Sequence, residues 1–225
     1  MDIIFFAVLA IVIFYKLSKH LGRIDEEEKK HIEEKIAQVR AAQEQIIEKI
    51  KQQEVVVGSS STTEQKELED KSLENLPQAQ KQSLQEVLSR CNINLSFFLS
   101  GAKSAFEIVI KSFASGDLAS LKMLLSEKIY QGFEAAVNQR LAQEKLLTTN
   151  LIAIEKTEII SAMLMENTAS IVVKFTSKQI NYISDKNGAV LEGNKNEIAE
   201  VVDVWTFKKD VTSPNPNWII SATGA

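Results

Sequence analysis

The chain has 225 residues, 44% of them hydrophobic and 25% charged, which is room for one sizeable core but not for a second full domain beside it. Its 26 basic and 30 acidic residues divide as 11 against 15 over positions 1–78 and 15 against 15 over 79–225, so no basic face is available for a phosphate backbone and nucleic acid is excluded as a partner. A single cysteine, Cys91, excludes an intramolecular disulfide framework and a cysteine-based metal cluster. Both histidines, His20 and His31, precede the C-terminal region, which therefore has no imidazole for acid–base or metal chemistry. Neither a metal nor a cofactor is expected.

The first twenty-one residues read as a membrane anchor. Ile3, Ile4, Phe5, Phe6, Val8, Leu9, Ile11, Val12, Ile13, Phe14 and Tyr15 lie in an unbroken apolar run, with Asp2 ahead of it and Lys16, Lys19, His20 and Arg23 behind. A secretory signal would place its positive charge before the run and a small-residue cleavage site after it. The run is shorter than the roughly 17–25 residues of a usual span, but Leu17 and Leu21 lengthen it if Lys16 and Lys19 snorkel to the headgroups. The segment has no polar face to lie in the interface, so a single-pass span is expected, in contact with membrane lipids. Basic residues after it place the rest of the chain on the cytoplasmic side.

Residues 22–54 read as a charged helical stalk. Apolar residues recur at Ile32, Ile36, Val39, Ile46 and Ile50 in heptad-like spacing, with Gln43 in the seam and carboxylates at Asp25–Glu28 favouring the helix N-terminus. About three heptads is near the minimum for a coiled coil, so a solvated single helix and a homodimer through the stalk both fit. Residues 55–78 have connector composition, beginning VVVGSSSTT, with a break at Pro77.

The domain is expected over 79–225. Leu84, Val87 and Leu88 stand at helical spacing, and Phe98, Ala102, Phe106, Val109, Ile110 and Phe113 form one apolar stripe that Gly116 stops. Asp117 caps a short helix carrying Leu118, Leu121, Leu124 and Leu125, and another carries Tyr130, Phe133, Val137 and Leu141. Beyond Asn150 the period becomes two: Ile152 and Ile154, then Ala169, Ile171, Val173 and Phe175, then Asp203, Trp205 and Phe207, with a last strand at 218–222. Glu166-Asn167 and Asp185–Gly188 supply turns. Helices followed by an antiparallel sheet give an α+β domain, with the helices packed on one face.

Three groups invite a catalytic reading, and each has a plainer one. Tyr130 falls on an apolar stripe and reads as a core tyrosine. Asp203 shares a strand face with Trp205 and Phe207, which aims it inward, where it would pair with Lys208, Lys209 or a backbone amide. Tyr182 stands beside a turn. No catalytic residue is assigned, and the domain is not expected to be an enzyme.

The stretch from Phe97 to Arg140, the segment ASIVVKFTS at 169–177, and EVVDVWTFKKD at 200–210 followed by Pro216-Asn217-Trp218 resemble the C-terminal domain of the Tim44-like family, over about residues 97–223. The N-terminal run resembles that of the bacterial, membrane-anchored members. The resemblance implies a cone-like domain of the nuclear transport factor two type, with helices on a curved antiparallel sheet and an apolar cavity between them. Phe106, Phe113, Tyr130, Phe133, Val173, Phe175, Trp205 and Phe207 are the residues expected to line it. It further implies a protein-binding scaffold or tether at the cytoplasmic face of the inner membrane, with membrane or chaperone proteins as partners. Binding of a lipid or apolar ligand in the cavity is the alternative function.

Overall fold

A computed structural model describes residues 71–224. The anchor, the stalk and most of the connector expected from the sequence lie outside the described residues. The order is four helices, α1 (Gln78–Arg90), α2 (Leu95–Ser115), α3 (Leu118–Leu124) and α4 (Glu127–Ala142), and then five strands: β1 (Leu146–Met165), β2 (Thr168–Ser184), β3 (Val190–Gly193), β4 (Ala199–Asp210) and β5 (Ile219–Gly224). The sheet runs β1-β2-β4-β5, wholly antiparallel, with β3 paired to the far end of β2. The α+β expectation is met in this form.

Local chemistry sets the helix ends. The Asn94 side chain accepts from the Phe97 amide at the start of α2, satisfying one of the free N–H groups there. Gly116, at φ 78°, ends α2 in the left-handed conformation, and a Cβ there would stand 3.3 Å from Val137 Cγ1. Asp117 accepts from the Ser120 amide and opens α3 at once. These two residues turn the chain back, so that α3 and α4 lie against β5, where the Ser126 amide donates to the Ile220 carbonyl.

Beneath the helices lies one side of the sheet. On β2 every odd residue from Ala169 to Gln179 is buried, and cross-strand partners share that side: Ile171 with Phe207, Val173 with Trp205, Phe175 with Asp203 and, on β1, Thr157. Helix α2 runs along this inner face. Phe98 meets Phe207 edge-on at 5.8 Å, and Phe106 stacks on Phe175 at 4.5 Å. The helical rise from Phe98 to Phe106, about 12 Å, matches the strand rise from Ile171 to Phe175, about 13 Å, which keeps the two rows of rings in step.

The edge strand β1 is guarded. Helix α1 packs against it with Leu84 and Val87 in the core, and the Ala162 amide donates to Gln80 Oε1, so a backbone donor on the open edge has a partner. Three bulges, at Leu151/Ala153, Ile154/Lys156 and Ile159/Ser161, interrupt its pairing with β2.

Candidate functional site

The two faces of the sheet form two candidate surfaces, and the inner one contains every residue that the sequence singled out as cavity lining on a strand. Phe106, Val173 and Phe175 are fully buried, Trp205 and Phe207 nearly so, and the rings touch: Phe106 lies 4.8 Å from Trp205, and Phe175 lies 5.8 Å from Trp205 and 6.4 Å from Phe207. These five residues pack against one another. Phe113 and Phe133 form a second pair, edge to face at 5.1 Å and half-buried, nearer the end of α2. The Arg140 guanidinium stands 5.1 Å over the Phe113 ring and donates from Nη2 to the Phe113 and Ala114 carbonyls, which ties α4 to the end of α2. Burial lowers the ionisation range of that guanidinium. Tyr130 is buried as a ring, while its hydroxyl donates to Glu134 Oε1, a bond that raises its ionisation above the ordinary tyrosine range.

Toward the far end of β2 the inner face turns polar. Ser177 and Gln179 are buried, and a relay of side chains runs along the strand: Asn181 Nδ2 donates to Gln179 Oε1, Gln179 Nε2 to Ser177 Oγ, and Ser177 Oγ to the Val201 carbonyl. Asn181 Oδ1 is left without a partner. Flanking the Phe175 ring, Asp203 Oδ2 on one side and Thr157 Oγ1 on the other are also buried and unpaired. Burial pushes the Asp203 carboxyl up to about 6, against a smaller lowering by its hydrogen bond with Trp205. Of the lysines weighed as partners for Asp203, Lys209 donates to the Asn215 carbonyl instead, and Lys208 pairs across from Ser170, on the other side of the sheet. Tyr182, at the strand end, has Lys195 5.2 Å over its ring. Asp203 and Tyr130 are not brought together by any contact. Among the described residues no group of three histidine, cysteine or acidic side chains is placed to hold a metal.

The outer face is what the sequence reading missed. Even-numbered residues of β2 and their cross-strand partners form it, and it carries Met163, Met165 and Val202 exposed to solvent, with Val172 and Val204 half-buried between them. Two of its lysines are paired, Lys174 with Glu158 at 2.6 Å and Lys178 with Glu155 at 2.6 Å, while Lys208, opposite Ser170, is exposed. The Lys174 ammonium holds the Glu158 carboxyl below its usual range. The signal in the sequence was the run of valines and threonines on both parities of β2 and β4, which a fully wetted face does not need. The exposed apolar side chains are split along the face, Met163 and Met165 opposite Ser170 and Thr168 and Val202 opposite Thr176, with the Lys174–Glu158 pair between them.

No single helix among the described residues is long and apolar enough to cross a membrane.

Comparison with known proteins places the domain. Over 122 residues the chain is 21% identical to the mitochondrial import inner membrane translocase subunit TIM44-1 of Arabidopsis thaliana, a match over 54% of this chain and 26% of that relative, so the chain spans about a quarter of the length of the curated relative. The crystal structure of the intermembrane space region of the chloroplast protein ARC6 is similar at a TM-score of 0.37 and 14% identity, covering 56% of this chain and 94% of that one. The model of the Tim44-like domain matches residues 89–225, more than half of the chain and all of α2 to β5, and by that match the chain belongs to the Tim44-like domain family.

Proposed function

We propose that the chain is a non-catalytic, membrane-tethered scaffold that binds proteins at the cytoplasmic face of a bacterial inner membrane, in protein translocation or in the assembly of membrane complexes. The observation that carries the reading is family membership: the match covers the whole α+β body from α2 onward, and a related chain is a translocase subunit by name. The apolar run at Ile3–Tyr15 supports the tether, and the charged segment over 22–54 would set its reach. A tether raises the local concentration of weak partners, which suits a domain whose inner face is occupied by its own rings. Crosslinking of the tagged full chain in its native membrane, followed by mass spectrometry, should recover translocase, chaperone or assembly subunits. Recovery of no specific protein at native expression would count against the scaffold.

Binding of a lipid or another apolar ligand beneath the helices is the second reading. It draws support from the half-buried Phe113–Phe133 pair and from the unpaired Asp203 Oδ2 and Thr157 Oγ1 on the same inner face. Lipid retained by the purified protein in native mass spectrometry would favour it; a lipid-free spectrum would remove it.

A further inference from the structure

We infer that the inner face of the sheet beyond Phe175 is a binding site for a ligand that carries a protonated amine on a small apolar body. The hydrogen-bonding inventory of the face selects that chemistry. Asn181 Nδ2, Gln179 Nε2 and Ser177 Oγ donate along the relay that ends on the Val201 carbonyl. What is left buried without a partner is oxygen: Asp203 Oδ2, Thr157 Oγ1 and Asn181 Oδ1. Thr157 stands two strand spacings from Asp203 across Phe175, about 10 Å, too far for one nitrogen to serve both. The carboxylate, the strongest acceptor of the three, is therefore the anchor. At pH 7.5 it is ionised, since burial raises the carboxyl only to about 6. None of the lysines on β2 and β4 answers it: Lys174 and Lys178 pair with Glu158 and Glu155, Lys209 donates to the Asn215 carbonyl, and Lys208 stands on the other side of the sheet. A carboxylate so placed gains most from a charged N–H donor, whereas an acceptor-only ligand would set lone pairs against lone pairs.

The surroundings suit such a ligand. Phe175 lies directly across from Asp203 on β2, and Trp205 is the next residue on the same side of β4, so an ammonium bonded to the carboxylate has two aromatic rings beside it. One row farther along, Ile154 and Val201 flank Ser177, and both are half-buried, as is Leu151 beyond them. They offer apolar surface to the body of the ligand, in contrast to Ile171, Val173 and Phe175, which are fully buried. The approach is beside β5, whose pairing with β4 stops at Val204 opposite Gly224, one residue short of Asp203. Asp203 is itself half-buried as a residue, although its Oδ2 is covered. The inference rests on the second reading, a ligand beneath the helices, and gives that ligand its class.

The test is fluorine NMR of the full chain in phosphatidylcholine nanodiscs, labelled with fluorotryptophan. The chain has two tryptophans, Trp205 and Trp218, and Trp218→Phe assigns their signals. The probes are phenethylamine, phenethyl alcohol and hydrocinnamate, which share one apolar body and differ in the head group. Binding at Asp203 predicts that phenethylamine shifts the Trp205 signal with a Kd at least about tenfold below those of the other two, and that Asp203→Asn brings the three within about twofold while the Trp218 signal keeps its position. A preference for phenethylamine that survives Asp203→Asn would overturn the inference. So would equal shifts by all three probes in the parent chain, which leave the second reading standing with a ligand of another class. If none of them shifts Trp205 at millimolar concentrations, the site falls as well, and the lipid-retention spectrum decides the second reading by itself.

Discussion

The inner and outer faces of the sheet are built from alternate residues of the same strands, yet they do opposite things. On β4, Trp205 and Phe207 point inward to touch Phe106 and Phe98, the latter pair at 5.8 Å, while Val202 and Val204 point outward toward solvent. The inner residues have found their partners within the domain. The outer ones have not, and the cost of leaving them uncovered is small enough for a marginally stable protein to carry. Along β2 and β4, whether a residue contributes to the core is therefore set by its parity more than by its hydrophobicity.

Four substitutions test that contrast. The largest effect is expected at the inner face, where Phe175→Ala removes a fully buried ring stacked on Phe106 and edge-on to Trp205 and should cost about 3–5 kcal/mol, read from the midpoint of urea unfolding. A loss below about 1 kcal/mol would mean that the inner face is not the closed core the ring contacts describe.

Asp203 tests the polar flank of the same face. Burial raises its carboxyl to about 6 in the folded protein, so the unfolded chain ionises first and the fold loses stability as pH rises from the ordinary aspartate range through 6. Asp203→Asn should therefore raise the melting temperature at pH 7.5, equivalent to at most about 3 kcal/mol, with the gain shrinking below pH 6 and gone near pH 4. A gain that did not depend on pH would show that lost packing or altered hydrogen bonding, rather than the buried charge, governs this position.

The smallest effect belongs to the outer face. Met163→Ser and Val202→Ser each remove an exposed apolar side chain and should move stability by no more than about 0.5 kcal/mol. Their effect should appear instead in partner recovery from native membrane. A large loss of stability in either would move these residues from surface to core.

Much of this arrangement could be read from the residues. The apolar stripe from Phe98 to Phe113, the stop at Gly116 and the cap at Asp117 stand where periodicity and turn chemistry put them, because helix ends depend on a few local residues. The inward placement of Asp203, Trp205 and Phe207 followed from the two-residue period. By contrast, β1 showed only Ile152 and Ile154 to that reading, although the strand extends from Leu146 to Met165. Its three bulges each insert a residue and shift the parity, so alternation cannot persist over its length. The short β3 has four residues, too few to register a period. Among the candidate site residues, the polar relay through Ser177, Gln179 and Asn181 was invisible because those side chains look like surface residues until the helices above them are placed. The outer face was hidden for the opposite reason: valine and threonine are good strand formers anywhere, so their presence on an open face did not stand out.

The clasp between α1 and β1 bears on how the protein keeps apart from its own copies. The Ala162 amide is held by Gln80, and α1 lies along a strand twenty residues long that would otherwise offer neighbouring molecules a row of free backbone groups. The family match begins at residue 89, inside α1, so a fragment cut at that border would lose Gln80, Leu84 and Val87 and lay this edge bare. Such a fragment would fail first by assembling edge to edge in a concentration-dependent way, making α1 the domain's guard against fibre-like growth.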